Sequence, residues 1–249
     1  MTRFSRLLLR TVPLLTFVAA APAAAVDLGS GFSVGGGATL VSDYRFRGIS
    51  QTDKRPAVQG TFTISHASGV YATWWGSSID DYIANGSDAE NDLILGYKKT
   101  FKSTTVDVGF LYYYYPGNGG ANTNFAEPYV HVTEAFGPVS LTGTVAYAPK
   151  QKGLSVDGIH KEDNLYLAGD LAYAIPKTPI GLTGHFGHSF GPSYLTIGKG
   201  YTDWSLGATV TVKNLVAGLS YVDTNKSLYS PRGRNIAGAG IVASLGVTF

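Results

Sequence analysis

The sequence contains no cysteine, which excludes a disulfide framework, a thiolate metal site and a cysteine nucleophile. Charge is also scarce, since Asp, Glu, Lys and Arg together make up 14% of the 249 residues. Beyond the first 25 residues, 16 basic side chains are balanced by 17 acidic ones. A nucleic-acid binder would carry a basic face, so we expect no nucleic-acid partner.

Long hydrophobic runs are missing too, because no uninterrupted apolar stretch reaches the roughly 20 residues that a spanning helix needs. The first segment instead has Arg3, Arg6 and Arg10, a short apolar stretch, and an A-x-A pattern at 23–25. This pattern predicts a cleaved signal peptide over residues 1–25. The alternative, a membrane anchor, is disfavoured by the short apolar stretch. The mature chain is then residues 26–249, exported from the cytoplasm.

The mature chain has many segments in which every second residue is apolar. One such face carries Val106, Val108, Phe110, Tyr112 and Tyr114, with polar or small residues between them. Side chains alternate in this way along a β-strand. About twelve segments show this periodicity: 32–47, 56–66, 70–78, 91–100, 103–115, 125–136, 139–148, 164–175, 180–190, 202–212, 215–223 and 237–249.

The joins between these segments alternate in length. Tight joins such as 137–138 and 213–214 follow every second segment, and longer polar joins such as 48–55, 79–90 and 149–163 follow the others. Short turns on one side and long loops on the other are typical of outer-membrane barrels. The fold class we expect is therefore all-β: a transmembrane antiparallel up-and-down barrel of about twelve strands in the outer membrane of a Gram-negative bacterium, with both termini on the periplasmic side.

The last segment supports this expectation. Ile241, Ala243, Leu245, Val247 and the terminal Phe249 form one apolar face. A final strand of this kind ending in Phe resembles the signal that outer-membrane barrels present to the barrel-assembly machinery. The alternative is an ordinary amphipathic edge strand that ends in Phe. Since the edges of an open sheet cannot face lipid, we favour the barrel, in contact with outer-membrane lipids.

Residues 40–52, LVSDYRFRGISQT, followed by 56–60, PAVQG, resemble the N-terminal signature of the TorF family of porins. These are proteobacterial outer-membrane proteins of largely uncharacterised function. Residues 69–72, 75–77 and 201–207 are similar to later blocks of the family. The resemblance implies a barrel and a pore, and it transfers no catalytic residue and no substrate.

Strand parity predicts which side chains face the interior. On the first segment, Leu40, Tyr44 and Phe46 share the parity assigned to lipid. A charged side chain on the lipid face costs roughly 2–4 kcal/mol at mid-membrane for Arg or Lys, so charged residues are assigned inward. The predicted pore-lining residues are Asp43, Arg45, Arg47, Asp92, Lys98, Asp107, Glu127, His131, Asp170, His185 and Asp203.

Two interpretations of the interior remain open. Arg45 and Arg47 line a constriction in a narrow pore for small hydrophilic solutes or ions, or they form ion pairs with Asp107, Asp170 or Asp203 in a closed lumen. A barrel of this strand number permits either. Four inward tyrosines would fill much of the space: Tyr113, Tyr115, Tyr129 and Tyr166. A different function class, a non-conducting structural or adhesion barrel acting through its outer loops, is the alternative.

We expect no enzyme activity and no cofactor. His185, His188 and Ser189 lie close in sequence, but His188 and Ser189 face opposite sides of a strand, while His185 lies four residues from Ser189. Nucleophilic catalysis needs Ser and His within hydrogen-bonding reach.

Charged residues on three outer loops give weaker functional hypotheses. The oxygen-rich loop from Asp80 to Asp92 has ligands that suit Ca²⁺, although an acidic outer loop is more commonly only solvated. The basic tips at 150–152 and 232–234 are candidate contacts for lipopolysaccharide phosphates, or simply solvated surface.

Overall fold

A computed structural model describes residues 25–249, and the predicted signal peptide lies outside the described residues except for its last alanine. This part of the chain forms fifteen β-strands and two short 3₁₀ helices (Lys152–Leu154 and Tyr194–Thr196). The strands are β1 (Val26–Gly29), β2 (Phe32–Val41), β3 (Arg45–Phe46), β4 (Ile49–Ser50), β5 (Ala57–His66), β6 (Val70–Ser78), β7 (Ala89–Phe101), β8 (Thr104–Tyr114), β9 (Phe125–Phe136), β10 (Val139–Gln151), β11 (Glu162–Ala174), β12 (Ile180–Phe190), β13 (Tyr201–Val212), β14 (Leu215–Thr224) and β15 (Gly240–Thr248).

Twelve of these strands close into one barrel. From β5 to β15 every strand pairs antiparallel with the next along the chain, while β2 pairs with β5 on one side and β15 on the other. The predicted fold class, a twelve-stranded antiparallel up-and-down barrel, is confirmed. Strands β3 and β4 form a separate two-stranded hairpin.

Within residues 25–249, none of the helical segments has the length and apolar character required to cross a bilayer.

The last barrel strand, β15, pairs with the first, β2, and this seam leaves the barrel sheet without a free edge. Leu245 lies opposite Leu40, and Gly36 and Phe249 exchange two backbone hydrogen bonds of 2.9 Å each. Beyond Phe249, β1 takes over as the partner of β2, with Val26 opposite Val34. The terminal strand predicted from its apolar alternation is therefore the one that closes the barrel.

The outer wall is apolar, as the period-two pattern predicts. Leu206 is 68% exposed, Phe186 63% and Leu95 62%, and each stands between inward-facing neighbours on its strand. Exposed apolar surface of this extent on a closed barrel belongs against hydrocarbon. Short turns gather at one end of the barrel, where β1 and Phe249 also lie, and the longer connections gather at the other.

One strand prediction is wrong in its extent. The first segment, expected to run over 32–47, ends as a wall strand at Val41, and the chain then turns into the barrel. Tyr44 is fully buried and Phe46 half-buried, so their predicted lipid-facing assignment is also wrong. The physical reason is the hydrogen bond that Tyr44 Oη donates to Glu90 inside the barrel, at 2.7 Å.

The join at 48–55, expected as an outer loop, lies inside the barrel mouth for the same reason. Ile49 and Ser50 pair with Phe46 and Arg45, and Asp53 is completely buried. We call residues 42–56 the infolded segment.

We expect a charged side chain on the lipid-facing wall to lower the free energy of unfolding more at the middle of the membrane than at its interface. Leu206 lies at the middle of β13 and Val212 at its end, both exposed on the outer face. Leu206→Arg should lower the free energy of unfolding in lipid by roughly 2–4 kcal/mol, whereas Val212→Arg should cost about 0–1 kcal/mol because it reaches the interface. Urea unfolding in vesicles measures both, and equal effects would contradict the placement of this wall in hydrocarbon.

Candidate functional site inside the barrel

Arg45 holds the infolded segment in its buried position. Its Nε donates to Asp43 Oδ2 at 2.6 Å, and its Nη1 donates to the carbonyls of Gly48, Ile236 and Gly238 at 2.8, 3.2 and 3.1 Å. Arg45 is only 3% exposed. Because every one of these partners is fixed backbone or a buried carboxylate, Arg45 acts as an anchor that ties the segment to itself and to the loop after β14.

Arg47 reaches across the interior to the opposite wall. Its Nη2 donates to both oxygens of Glu127 at 2.7 Å, and its Nη1 donates to Asn164 at 3.0 Å. The guanidinium lies 4.0 Å from the ring centre of Tyr166, a cation–π distance. This contact joins the infolded segment to β9 and β11 and narrows the lumen at that level.

A carboxylate pair lies beside this contact, on β7. Glu90 accepts hydrogen bonds from Tyr44 at 2.7 Å and from Tyr115 at 3.0 Å. Asp92 is fully buried, and both of its oxygens lack a hydrogen-bond partner within the described part of the chain. Glu90 and Asp92 thus place two carboxyl groups at this level of the interior, and neither forms an ion pair within the described part of the chain.

A histidine between two aspartates forms a second polar layer. His185 Nδ1 lies 2.7 Å from Asp170, and its Nε2 lies 2.9 Å from Asp203. Each ring nitrogen thus lies within hydrogen-bonding distance of a different carboxyl group, one on β11 and one on β13. Tyr166 Oη lies 2.9 Å from the same ring and 3.1 Å from Asp203.

Nearer the short-turn end, Lys98 and Asp107 form a third layer, with 3.1 Å between Nζ and Oδ2. Tyr71 donates to Asp107 at 2.7 Å, and its hydroxyl lies 2.6 Å from that of Tyr129. His131 bonds to Thr144 at 2.9 Å. Charges of both signs thus recur along the barrel axis on several strands.

At the outer end of the barrel, a group of ion pairs, which we call the ionic latch, joins the infolded segment to two outer loops. Asp80 accepts hydrogen bonds from Arg55 and from Arg232, the latter at 2.8 and 2.9 Å, while Arg232 and Arg234 lie 3.5 and 3.6 Å from Asp53. Burial alone would raise the pKa of Asp80, but the hydrogen bonds from the two arginines outweigh it and lower that pKa. Asp80 is therefore ionised at neutral pH.

The latch bears on two weaker sequence hypotheses. Asp80 is bound by arginines and Asp92 lies inside the barrel, so these two carboxyl groups of the predicted Ca²⁺ loop do not come together around one ion. Among residues 25–249, no cluster of three or more His, Cys, Asp or Glu side chains is arranged to hold a metal ion. Arg232 and Arg234 bind carboxylates, although about half of each side chain remains exposed.

The structure places each predicted pore-lining residue inside the barrel, buried or half-buried, but pairs them differently from the expectation. Arg45 binds Asp43 and Arg47 binds Glu127, so the suggested partners Asp107, Asp170 and Asp203 are wrong. Those three bind Lys98 and His185 instead. The cause is the infolded segment, which puts both arginines at the outer level rather than along the wall of the first strand.

Several interior residues were missed from the sequence. Glu90 falls in a predicted loop, yet it lies two residues before Asp92 and so shares its inward parity. Asn164 shares the parity of Tyr166 in the same way. Ser189, weighed as a nucleophile, donates to Asn164 at 3.2 Å, and His188 bonds to Thr202 at 2.8 Å.

Solved structures resemble this chain in fold. A membrane protein from a study of in-meso crystallization superposes with a TM-score of 0.55 at 8% identity, covering 86% of this chain and 83% of the other. An outer membrane channel from Pseudomonas putida F1 gives 0.46 at 12% identity, over 90% and 98%. The outer membrane channel DcaP of Acinetobacter baumannii gives 0.44 at 10%, over 91% and 100%. At these identities the likeness concerns the barrel fold alone.

Sequence comparison gives one family. The profile described as "Bacterial protein of unknown function (Gcw_chp)" matches residues 25–249. No curated protein matches the chain. The similarity to a bacterial family of uncharacterised function is thus confirmed, while the TorF name stays a prediction.

The close packing of Gly187 against Tyr166 allows a prediction about the free energy of unfolding. A Cβ at Gly187 would collide with the Tyr166 hydroxyl, which cannot withdraw because the ring is 1% exposed and lies against Arg47. Gly187→Ala should lower the free energy of unfolding by about 1–3 kcal/mol through overpacking. Gly169→Ala on the neighbouring strand is the control, since its Cβ would meet no atom within 4 Å. Equal losses in urea unfolding would contradict this packing.

Proposed function

We propose that this chain, which belongs to the bacterial family of unknown function Gcw_chp, is a porin with a narrow lumen. It would pass small hydrophilic solutes or ions by passive diffusion across the outer membrane of a Gram-negative bacterium. Export by a cleaved signal peptide, insertion by the barrel-assembly machinery through the strand ending in Phe249, and contact with lipopolysaccharide belong to the same proposal. No covalent chemistry is part of it.

The observation that carries this proposal is the contact of Arg47 with Glu127 across a charged interior. Ionisable groups at membrane depth are expensive, and they commonly mark solute or ion pathways. A barrel that served only as an anchor would have no need of layered charges along its axis. The infolded segment takes up part of the lumen at this level, because it brings a guanidinium from one side to a carboxylate on the other.

The balance of acidic and basic groups inside the barrel suggests which ions the lumen prefers. Carboxyl groups outnumber basic groups among the inward side chains, which are Asp43, Glu90, Asp92, Asp107, Glu127, Asp170 and Asp203 against Arg45, Arg47, Lys98 and His185. Rings of carboxylates favour cations in channels. We therefore propose a weak cation preference for the native lumen.

Single-channel recording in planar bilayers tests the proposal. Arg47→Ala removes the group that crosses the lumen and leaves Glu127 unpaired, so conductance should rise and the reversal potential in a salt gradient should shift further toward cations. Arg47→Lys keeps the charge but loses the two-pronged contact with the carboxylate, and should shift conductance more than selectivity. Glu127→Gln should shift selectivity in the opposite direction.

Two results would count against the proposal. Unchanged conductance and reversal potential in Arg47→Ala would show that this contact is not on the permeation path. Absence of current from correctly folded native protein, identified by its faster migration before boiling, would favour the non-conducting structural or adhesion barrel instead.

A further inference from the structure

Of the five short turns that join strands between β5 and β14, three carry a lysine in the left-handed backbone region. Lys102 (φ 57°) follows β7, Lys177 (φ 64°) follows β11 and Lys213 (φ 54°) follows β13. Tight turns favour glycine, asparagine or aspartate at such positions, because a positive φ costs other residues free energy. The two remaining turns have glycine there, Gly69 and Gly137. The lysines therefore occupy positions where turn formation alone favours another residue.

These lysines lie directly beside the lipid-facing wall. Exposed Phe101 precedes Lys102, and exposed Val212 precedes Lys213. Lys99 lies on the outer face of β7, with its Nζ 5.8 Å from the ring centre of Phe101. A lysine side chain keeps its methylene groups against apolar surface while its ammonium group reaches the headgroups. We call the four exposed residues of this end the lysine rim: Lys99, Lys102, Lys177 and Lys213.

Neighbouring side chains do not neutralise the lysine rim. Within residues 25–249, none of its four members forms an ion pair with a carboxylate. The acidic side chains at the same end are Asp27, which accepts a hydrogen bond from the Gly29 backbone at 2.8 Å, and Glu134, which accepts one from Thr104. The arginines of the ionic latch, at the opposite end, are by contrast paired with buried carboxylates. The short-turn end thus carries exposed and unpaired positive charge.

The depth of the lysine rim selects the class of partner. Anionic headgroups attract basic residues that lie next to a membrane-spanning segment, and the attraction decays within a Debye length of about 8 Å at physiological ionic strength. The backbone N–H of Thr211 donates to the carbonyl of Pro179 at 2.9 Å, so the turns of Lys177 and Lys213 lie side by side. Because such short turns hardly extend beyond the wall, their ammonium groups lie at the level of lipid phosphates. A polyanion in water would have to approach that level from outside the membrane.

We propose that the lysine rim binds anionic phospholipids of the leaflet at the short-turn end, which is the periplasmic leaflet in the expected orientation. The ammonium groups contact headgroup phosphates, and the apolar residues beside them contact the acyl chains. The inference goes beyond the proposed function, since lipid binding at this rim needs no conduction.

Lipid retention tests the lysine rim. The mature chain is folded into vesicles of phosphatidylglycerol and phosphatidylcholine in equal amounts and extracted in mild detergent, and the lipids that remain bound are counted by mass spectrometry. Native protein should retain phosphatidylglycerol over phosphatidylcholine by roughly fivefold or more, because one lysine near an anionic surface contributes about that factor. Extraction in about 1 M NaCl should abolish the excess through screening.

Replacing the turn lysines by asparagine removes their charge but keeps a residue that tolerates a positive φ. The variant that carries all three changes should fold, as judged by faster migration before boiling, and should retain the two lipids about equally: Lys102→Asn, Lys177→Asn and Lys213→Asn. The matched control removes the same charge from the long-loop end, where the lysines are also exposed, and should keep the native excess: Lys150→Asn, Lys152→Asn and Lys161→Asn.

The proposal is overturned if native protein retains the two lipids equally, or if the turn variant keeps the native excess. Loss of the excess in the control variant also overturns it, since net charge rather than the rim would then attract the lipid. A further contrary result is that purified peptidoglycan sediments native protein but not the turn variant, while neither retains phosphatidylglycerol in excess. If the triple variant does not fold, Lys213→Asn alone should lower the excess, and an unchanged excess is equally contrary.

Discussion

A sheet surrounded by hydrocarbon must leave no backbone hydrogen bond unmade, and this constraint shapes the whole molecule. It is met where β15 pairs with β2 and where Gly36 and Phe249 bond to each other. Strand β1 continues the pairing of β2 on the same side of the seam. Closure with twelve strands fixes the width of the enclosed space, and every feature of the interior depends on this closure.

Inside so small a barrel, the infolded segment decides what space remains. It is held by Arg45 through fixed carbonyls and by Asp43, and it presents Arg47 to the opposite wall. Charged groups inside are tolerated because each finds a partner in a low-dielectric surrounding, where such contacts are strong. Asp92 departs from this pattern, since neither of its oxygens has a hydrogen-bond partner within residues 25–249.

Most of the fold could be predicted from the sequence, because outward apolar and inward polar side chains alternate along each strand of a membrane barrel. The alternation of Val106 to Tyr114 and of Ile241 to Phe249 needed no tertiary information. The turn inward after Val41 was not predictable in this way. Residues 42–47 continue the same alternation, so parity assigned Tyr44 to lipid, whereas the contact that decides its position is with Glu90, 46 residues away. The pairing of Arg47 with Glu127 was hidden for the same reason, since side-chain partners across a lumen leave no local pattern.

Thiol accessibility of the infolded segment tests the central claim most directly, and the lack of native cysteine means that only an introduced thiol reacts. Ser50 is fully buried, while Ile159, on an outer loop, is 76% exposed. With a charged, membrane-impermeant thiol reagent applied to intact cells, Ile159→Cys should react rapidly and Ser50→Cys should stay protected until the barrel is unfolded. Equal reaction rates at the two positions would show that residues 42–56 form an ordinary outer loop, and would contradict a lumen narrowed by this segment.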